Sequence, residues 1–257
     1  MQPKPIALQL YTLREEAKQD FVNVLKQVAE IGYAGVEPAG LHGMKPEEVK
    51  TVLDDLGLIC CSTHGPMPTA ETVNQRCDEA AALGADVVVS GLGAGEWASG
   101  AARDQAIAKL QEAAGLVAER NMRFGYHNHW AEFDTVDGEL NFDVMMREVP
   151  DMFSELDIYW ANNFGQIDVP ETVKKYAARM PLLHVKDGPL VKGMPHEPVG
   201  SGKMDIPAVI GAADENILQW NIVELDEYAG RMIDAVRQSC EYLVGEAACE
   251  GVPGDVD

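Results

Sequence analysis

The chain has 257 residues, of which 46% are hydrophobic and 24% are charged, proportions typical of a globular protein with a sizeable core. No apolar stretch approaches the roughly 18–20 residues that a bilayer-spanning helix needs, and no basic segment followed by an apolar one marks a signal peptide. The formal net charge of −22 opposes nucleic-acid binding, which draws most of its affinity from Lys and Arg at phosphates. We therefore expect a cytoplasmic protein with neither nucleic acid nor membrane as a partner.

Short apolar runs alternate with longer amphipathic runs along the chain. The apolar runs are typical of parallel strands buried on both faces, and the amphipathic runs are typical of helices. The eight predicted strands are Pro5–Leu10, Gly35–Pro38, Leu58–Thr63, Asp86–Ser90, Arg123–His127, Glu155–Tyr159, Leu182–Lys186 and Asn221–Leu225. The eight predicted helices are Asp20–Ile31, Glu47–Leu56, Ala70–Leu83, Arg103–Arg120, Phe142–Val149, Pro170–Arg179, Ile206–Ala213 and Gly230–Val244.

Eight strands alternating with eight helices, without a linker between them, predict parallel βα units. At this length they favour a single α/β domain, a closed (β/α)8 TIM barrel over residues 1–245, with a doubly wound open sheet as the alternative. Residues 246–257 are acidic and rich in turn-forming residues, and we predict that they form a frayed tail.

The predicted strands five to eight each carry a potential metal ligand at or near the C-terminal end. These ligands are His127, Asp157, His184 and Glu224. The C-terminal rim of a (β/α)8 barrel carries the active site, so four neighbouring strand ends can surround one ion. Two imidazoles and two carboxylates suit a divalent ion such as Mn, Zn or Co better than a thiolate-bound metal. A single His at such a position is more often structural, but four suitable ligands at successive strand ends predict a metal site.

Several strings of the sequence resemble a known family. GYHNH, ELDIYW, LLHVKD, EPVGSG-x-x-D and VELDE follow one another as in the sugar phosphate isomerase/epimerase family with the xylose isomerase-like TIM barrel. LQLYTLRE, GYAGVE and STHGP are similar to it too, so the resemblance extends from Ile6 to Leu243.

The resemblance implies that the four ligands hold a divalent metal (Mn, Zn, Co or Mg) on neighbouring oxygens of a small-molecule sugar. Many members of the family carry Glu where this chain has His127, and in ketose 3-epimerases that Glu is one of two facing catalytic carboxylates. We therefore predict that Glu132, a few residues further on, supplies the missing carboxylate as second acid/base.

The remaining predicted roles follow from proton transfer next to a carbonyl, where a divalent ion stabilises the developing enediolate as a Lewis acid. We predict Glu224 as ligand and base, and Lys186 as a catalytic group that polarises a carbonyl. Predicted substrate-binding residues are His64, Glu37, Trp160, His129 and Glu197. Structural alternatives are a local hydrogen bond for His64, an ion pair with Asp187 or Asp157 for Lys186, and rim packing for Trp160.

These residues predict a divalent-metal-dependent isomerase or epimerase of a small sugar or keto-sugar. Two alternatives use the same residues. One is a lyase or hydratase of a keto-sugar or keto-glycoside, which the departure at His127 favours, and the other is a non-catalytic sugar-binding subunit. An endonuclease of the same barrel type is disfavoured, because Trp160 stands where its pattern has His and Met194 where it has Asp. Homo-oligomer formation is left open.

Two other sequence features, a glycine-rich segment and the cysteines, do not indicate a function. The segment from Gly91 to Gly95 lacks the G-x-G-x-x-G spacing of a dinucleotide site. The five cysteines include no C-x-x-C pair, which predicts buried or incidental thiols.

Overall fold

The structure is a computed structural model that describes residues 3–245 together with Cys249 and Gly251. The predicted tail at 246–257 lies outside the described residues, apart from these two. Cys249 is buried, and its amide donates to the carbonyl of Leu243. No helix of the described part combines the length and apolar composition needed to cross a membrane.

The strands of the described chain form a parallel barrel and one small hairpin. They are β1 (Ile6–Gln9), β2 (Gly35–Glu37), β3 (Ile59–Cys60), β4 (Thr63–His64), β5 (Val87–Ser90), β6 (Arg123–His127), β7 (Thr135–Val136), β8 (Glu139–Leu140), β9 (Phe153–Asp157), β10 (Leu182–Val185) and β11 (Trp220–Val223). The barrel order is β3-β2-β1-β11-β10-β9-β6-β5-β4, and every pairing in it is parallel. The antiparallel pair β7 and β8 lies apart from it.

The predicted third strand is split into two pieces, and the barrel is nearly closed across this split. β3 pairs with β2, whereas β4 pairs with β5. The amide of Cys61 donates to Val36 at 3.1 Å and that of His64 to Pro38 at 2.9 Å, so β4 also stays attached to the chain after β2. The predicted TIM barrel is thus confirmed, and the doubly wound open sheet is not found.

The helices cover the outside of the barrel. They are α1 (Arg14–Ile31), α2 (Pro46–Leu56), α3 (Val73–Ala82), α4 (Gly100–Ala118), α5 (Asn141–Glu148), α6 (Ile158–Ala161), α7 (Val169–Tyr176), α8 (Ile206–Gly211) and α9 (Met232–Gly245). One correction concerns the predicted strand Glu155–Tyr159. The strand ends at Asp157, because Asp157 Oδ1 accepts the amide of Trp160 at 2.9 Å and thereby caps the single turn α6.

Alternation along the strands determines which residues reach the barrel interior. The bottom of the interior is a small apolar layer that includes Leu182 and Ile222. Successive side chains of a strand point to opposite faces, so His184 and Glu224, two residues further on, point into the same interior nearer the rim. The larger core lies between strands and helices, and all five cysteines are free and buried.

Candidate metal centre and active site

The structure brings all four predicted ligands together at the C-terminal rim of the barrel. His127 ends β6, Asp157 ends β9, His184 lies in β10 and Glu224 directly follows β11. One donor atom from each lies within 4.8 Å of those of the other three, and all four side chains are buried. His184 Nδ1 is 2.9 Å from Glu224 Oε2, and His127 Nε2 is 3.8 Å from Asp157 Oδ2. These nitrogens therefore face the carboxylate ligands.

The donor set and its spacing fit one divalent ion. Zinc bonds to imidazole and carboxylate are about 2.0–2.2 Å long, so donor atoms on opposite sides of an ion are about 4 Å apart. The observed limit of 4.8 Å is close to this separation, so small side-chain movements suffice to enclose an ion. Asp157 Oδ2 is fully buried, and its contact is the Lys186 ammonium at 2.9 Å in poor hydrogen-bond alignment, so this oxygen keeps a lone pair that a cation could use.

The ammonium group of Lys186 lies among the carboxylates. Its Nζ is 2.9 Å from Asp157 Oδ2, 2.9 Å from Glu224 Oε2 and 3.0 Å from Asp226 Oδ2. Burial alone would lower the pKa of Lys186, but these carboxylates hold it well above its ordinary value. Lys186 is therefore cationic and can neutralise negative charge, but it cannot accept a proton. The ion pair with Asp157, its structural alternative, is present.

The two carboxylate ligands differ in their electrostatics. Burial raises the pKa of Asp157 to about 6, although Lys186 opposes this effect. Burial acts in the same direction on Glu224, but Lys186 and His184 outweigh it and hold the pKa of Glu224 well below its usual range. Glu224 is therefore ionised at neutral pH, as a base must be.

A second layer of polar residues lies beneath the ligands, and Glu155 at its centre was missed by the sequence analysis. Glu155 Oε2 is 3.1 Å from His184 Nε2 and 3.5 Å from His127 Nδ1, the nitrogens that face away from the carboxylate ligands. Groups of this kind orient metal-binding imidazoles. The signal was available, because Glu155 stands two residues before Asp157 in β9 and so points to the same face.

Glu37, predicted to bind substrate, lies in this buried layer. It accepts hydrogen bonds from Gln9 and Ser62, and its Oε1 is 3.4 Å from His184 Nε2. Burial and the charge of Glu37 raise the pKa of Glu155 well above its ordinary value. Burial would also raise the pKa of Glu37, but His184 holds it well below that value. The pKa values of these two buried carboxyl groups are thus pushed in opposite directions.

Glu132, predicted as the second acid/base, lies apart from the ligand cluster. Its Oε1 accepts the hydroxyl of Tyr126, and its Oε2 accepts the amide of His129 at 3.1 Å. Tyr126 precedes His127 in β6 and points to the opposite, helix-covered face, where it also accepts from Trp97 Nε1 at 3.2 Å. Glu132 is fully buried there and is not among the residues that line either cavity described below, and its catalytic role stays a prediction.

Glu132 makes stability depend on pH. Burial raises the pKa of Glu132 from 4.5 to about 7, so between these values the unfolded chain releases its proton while the folded one keeps it. We expect the free energy of unfolding to fall by about 3 kcal/mol at most across this window and then to level off. In Glu132→Gln the decrease measured in urea titrations at pH 5, 6, 7 and 8 should be smaller than in the wild type by this contribution, and turnover should persist. Loss of turnover as complete as in Glu224→Gln would contradict this placement.

The ligand cluster opens into a cavity of about 790 Å³, here called the metal-side cleft. His127 and Glu224 reach it from the cluster, together with two predicted substrate-binding residues, His64 and His129. Gly91, Leu92 and Gly93, from the segment that the sequence analysis discounted as a dinucleotide site, also line it. Residues without a predicted role complete its walls: Gln9, Tyr11, Ala39, Gly40, Gly65, Pro66, Thr72, Gln75, Arg76, Glu79 and Asp226. His64 Nδ1 is also 3.4 Å from Glu37 Oε1, so its structural alternative is present beside its position at the cleft.

The last two predicted substrate-binding residues lie outside this cleft. Trp160 lines a neighbouring chamber, and its ring centroid is 5.6 Å from Lys186 Nζ. Glu197 lines neither cavity, and its amide donates to the carbonyl of Asp187 at 3.1 Å. The glycine-containing loop after it is attached to the Asp187 carboxylate, which accepts the amides of Gly188, Gly200, Gly202 and Met204.

Solved structures with this architecture include several enzymes. A sugar phosphate isomerase/epimerase from Parabacteroides distasonis ATCC 8503 is 24% identical, with 97% of this chain and 96% of that chain covered and a TM-score of 0.77. A probable 3-DHS dehydratase from Bacillus anthracis is 13% identical, with 94% of this chain and 99% of that chain covered and a TM-score of 0.73. A D-allulose 3-epimerase from Methylomonas sp., in complex with D-allulose, is 16% identical, with 95% and 97% covered and a TM-score of 0.71.

A further structure of this fold, from Mycobacterium smegmatis, is in complex with magnesium. It is 16% identical, with 94% of this chain and 95% of that chain covered and a TM-score of 0.67. At these identities the likeness establishes the fold alone.

Family membership rests on the sequence. No curated protein sequence matches the chain. The model of the xylose isomerase-like TIM barrel family matches residues 25–244, most of the barrel and all four strand ends of the ligand cluster. The chain therefore belongs to the xylose isomerase-like TIM barrel family.

Proposed function

We propose that the protein is a divalent-metal-dependent isomerase or epimerase that moves a proton next to the carbonyl group of a small sugar or keto-sugar. The observation that carries the proposal is the cluster of His127, Asp157, His184 and Glu224 at the end of an open cleft. The isomerase/epimerase and D-allulose 3-epimerase among the structures of similar fold support the same class of reaction.

Each residue of the cluster has a part in this chemistry. His127, Asp157, His184 and Glu224 would hold the ion, which when bound polarises neighbouring substrate oxygens as a Lewis acid. Glu224 reaches the cleft and is ionised, so its carboxylate can take a proton from the substrate carbon beside it. The Lys186 ammonium, 2.9 Å from Glu224, neutralises the charge that develops nearby.

An epimerase also requires a group that handles the proton on the opposite face of the substrate. Glu132 is hydrogen-bonded to Tyr126 and does not line the cleft, so we look for this group among the residues that do. Burial and the Lys186 ammonium lower the pKa of His129, which lines the cleft, so its imidazole is neutral at pH 7 and can accept a proton. We assign this second role to His129 in place of Glu132.

A second candidate is a metal-dependent lyase or hydratase of a keto-sugar or keto-glycoside. The observation that favours it is that the cleft wall carries imidazoles at His127 and His129, while Asp226, a further carboxylate near the ligands, is paired with Lys186 at 3.0 Å. Removal of one proton by Glu224 followed by loss of a neighbouring leaving group needs only one base. The dehydratase among the structures of similar fold agrees with this alternative.

The test is solvent deuterium exchange. Protein loaded with Mn, Zn or Mg is incubated in D2O with keto-sugars and 3-keto-glycosides, and proton NMR is recorded after the protein and ion are removed. We expect deuterium at a carbon next to the carbonyl with the wild type and with Glu132→Gln, but not with Glu224→Gln, which keeps a similar shape but cannot accept a proton.

The other outcomes separate the alternatives. Signals of an unsaturated or deglycosylated product would move the assignment to the lyase. Metal-dependent sugar binding without any exchange would favour a non-catalytic sugar-binding protein. Exchange that persists at wild-type rate in Glu224→Gln would refute Glu224 as the base.

A further inference from the structure

A second cavity adjoins the metal-side cleft. It has a volume of about 590 Å³ and is here called the aromatic chamber, after Trp130, Trp160 and Phe164 in its walls. Tyr11, His129 and Asp226 line both cavities, so the two meet directly beside the ligand cluster. Pockets that hold a drug-sized ligand span about 300–1,000 Å³, and each cavity by itself falls within this range. The pair is therefore larger than one small sugar requires.

The walls of the chamber are three aromatic rings that remain partly exposed. The ring centroids of Trp130 and Trp160 are 5.3 Å apart, and those of Trp130 and Phe164, and of Trp160 and Phe164, are 6.4 Å and 6.1 Å apart. The exposed Lys192 side chain places its Nζ 5.2 Å from the Trp130 centroid and 6.0 Å from the Phe164 centroid, so it would move aside when a ligand ring stacks there. A contiguous aromatic surface left open to solvent marks a binding site more often than a packing defect.

The backbone that carries Phe164 is strained. Asn163 and Phe164 have φ values of 45° and 57°, in the left-handed region that residues other than glycine rarely adopt. Hydrogen bonds from Asn163 Nδ2 to the carbonyl of Phe133 (3.1 Å) and to Asp134 Oδ1 (3.0 Å) hold this conformation. Strain of this kind persists only where the surroundings enforce it, and it clusters at ligand-binding positions. The surrounding structure therefore fixes the position of the Phe164 ring in the wall of the chamber.

We propose that the aromatic chamber binds a second ring that is covalently attached to the metal-side sugar, so that the substrate is a glycoside rather than a free monosaccharide. This inference rests on the proposed function. The sugar ring lies at the ligand cluster, and the attached ring stacks on Phe164 and Trp130, since aromatic faces receive both the C–H face of a sugar and an aryl ring. Tyr11, His129 and Asp226 then lie beside the bond between the two rings.

Binding of unreactive glycosides to the Zn-loaded protein tests this proposal without requiring turnover. Isothermal titration calorimetry compares, within one sugar at a time, the methyl glycoside, the phenyl glycoside and the β-1,4 disaccharide of glucose, galactose and xylose. We expect a ring-bearing ligand to bind about tenfold more tightly than its methyl counterpart, the effect of one or two stacking contacts. A gain for the phenyl glycosides identifies an aryl group, and a gain for the disaccharides identifies a second sugar.

Two variants locate this gain. Phe164→Asn removes the ring while retaining a residue that tolerates the left-handed backbone, and Trp130→Leu removes a second wall. Both should abolish the tenfold preference and leave the affinity for methyl glycosides unchanged. Gln75→Ala, at a residue that lines the metal-side cleft but not the aromatic chamber, should leave the preference intact.

Equal affinity for methyl and ring-bearing ligands, no binding of any probe, or unchanged preference in both chamber variants would each overturn the proposal. The outcome is separable from that of the deuterium experiment. A ring preference without deuterium exchange retains the chamber and refutes the proposed function, whereas exchange without a ring preference does the opposite.

Discussion

Replacing His184 with Gln is expected to weaken divalent-metal binding by more than about 100-fold and to abolish metal-dependent turnover. His184 is the central imidazole of the cluster, with Nδ1 2.9 Å from Glu224 Oε2 and Nε2 3.1 Å from Glu155 Oε2. Changes to groups that only orient a ligand already cost about 10–100-fold in metal affinity, so loss of the ligand itself must cost more. Competition titration against a chromophoric chelator, with Zn and Mn in turn, measures the affinity.

Two matched variants make this result specific. Glu155→Gln retains the shape beneath His184 and removes the carboxyl group that faces both imidazoles, so it should lose about 10–100-fold in affinity. His196→Gln should bind metal as the wild type does, because His196 is buried at the same rim but does not belong to the ligand cluster. Wild-type affinity in His184→Gln would move the ion out of this cluster.

Asp187→Ala is expected to destabilise the protein by about 3–5 kcal/mol, because several amides lose their acceptor and each buried unpaired donor costs about 1–3 kcal/mol. The carboxylate is fully buried and accepts four amides at 2.8–3.0 Å, from Gly188, Gly200, Gly202 and Met204. Without it the buried amide of Gly188 and the partly buried amides of the loop lose their acceptor, and the segment between β10 and α8 loses its attachment to the rim. Urea unfolding of the metal-free protein measures the loss.

The control for Asp187 is an aspartate at the end of the same segment. Asp205 is exposed and caps α8 through the amide of Ala208 at 3.1 Å, so Asp205→Ala should cost only about 1 kcal/mol. Gly202→Ala should resemble Asp187→Ala, because an added Cβ would lie 2.1 Å from Asp187 Oδ1. A cost for Asp187→Ala no larger than that for Asp205→Ala would show that the four hydrogen bonds do not hold the segment.

The ligand cluster could be predicted because ligands at the ends of neighbouring parallel strands must meet at one rim. This reasoning holds for His184 and Glu224, where strand alternation also determines the face. Strand alternation does not extend to Glu132, because this residue lies beyond the strand in a short turn at Ala131–Phe133. The turn places its carboxyl group beside Tyr126, on the face of the strand that the helices cover. The spacing of residues in the sequence does not predict the direction of that turn.

Other features depend on contacts that no local pattern contains. The break of the third strand between Cys60 and Thr63 depends on pairing with two different neighbours, β2 on one side and β5 on the other. Glu155 shares the face of Asp157 by alternation alone, but its position between two imidazoles follows only from the packing of β6, β9 and β10. The aromatic chamber likewise brings Trp130, Trp160 and Phe164 together from separate turns.

The position of Lys186 bears on whether the barrel needs a metal ion in order to fold. Its ammonium already satisfies Asp157 and Glu224, so these buried carboxylates do not repel each other while no ion is bound. Small domains built around a structural metal unfold without it, because nothing else compensates their ligands. Under the proposed function, an ion would bind to carboxylates that Lys186 already holds together, so metal loading would take place within a folded barrel and would not have to drive folding.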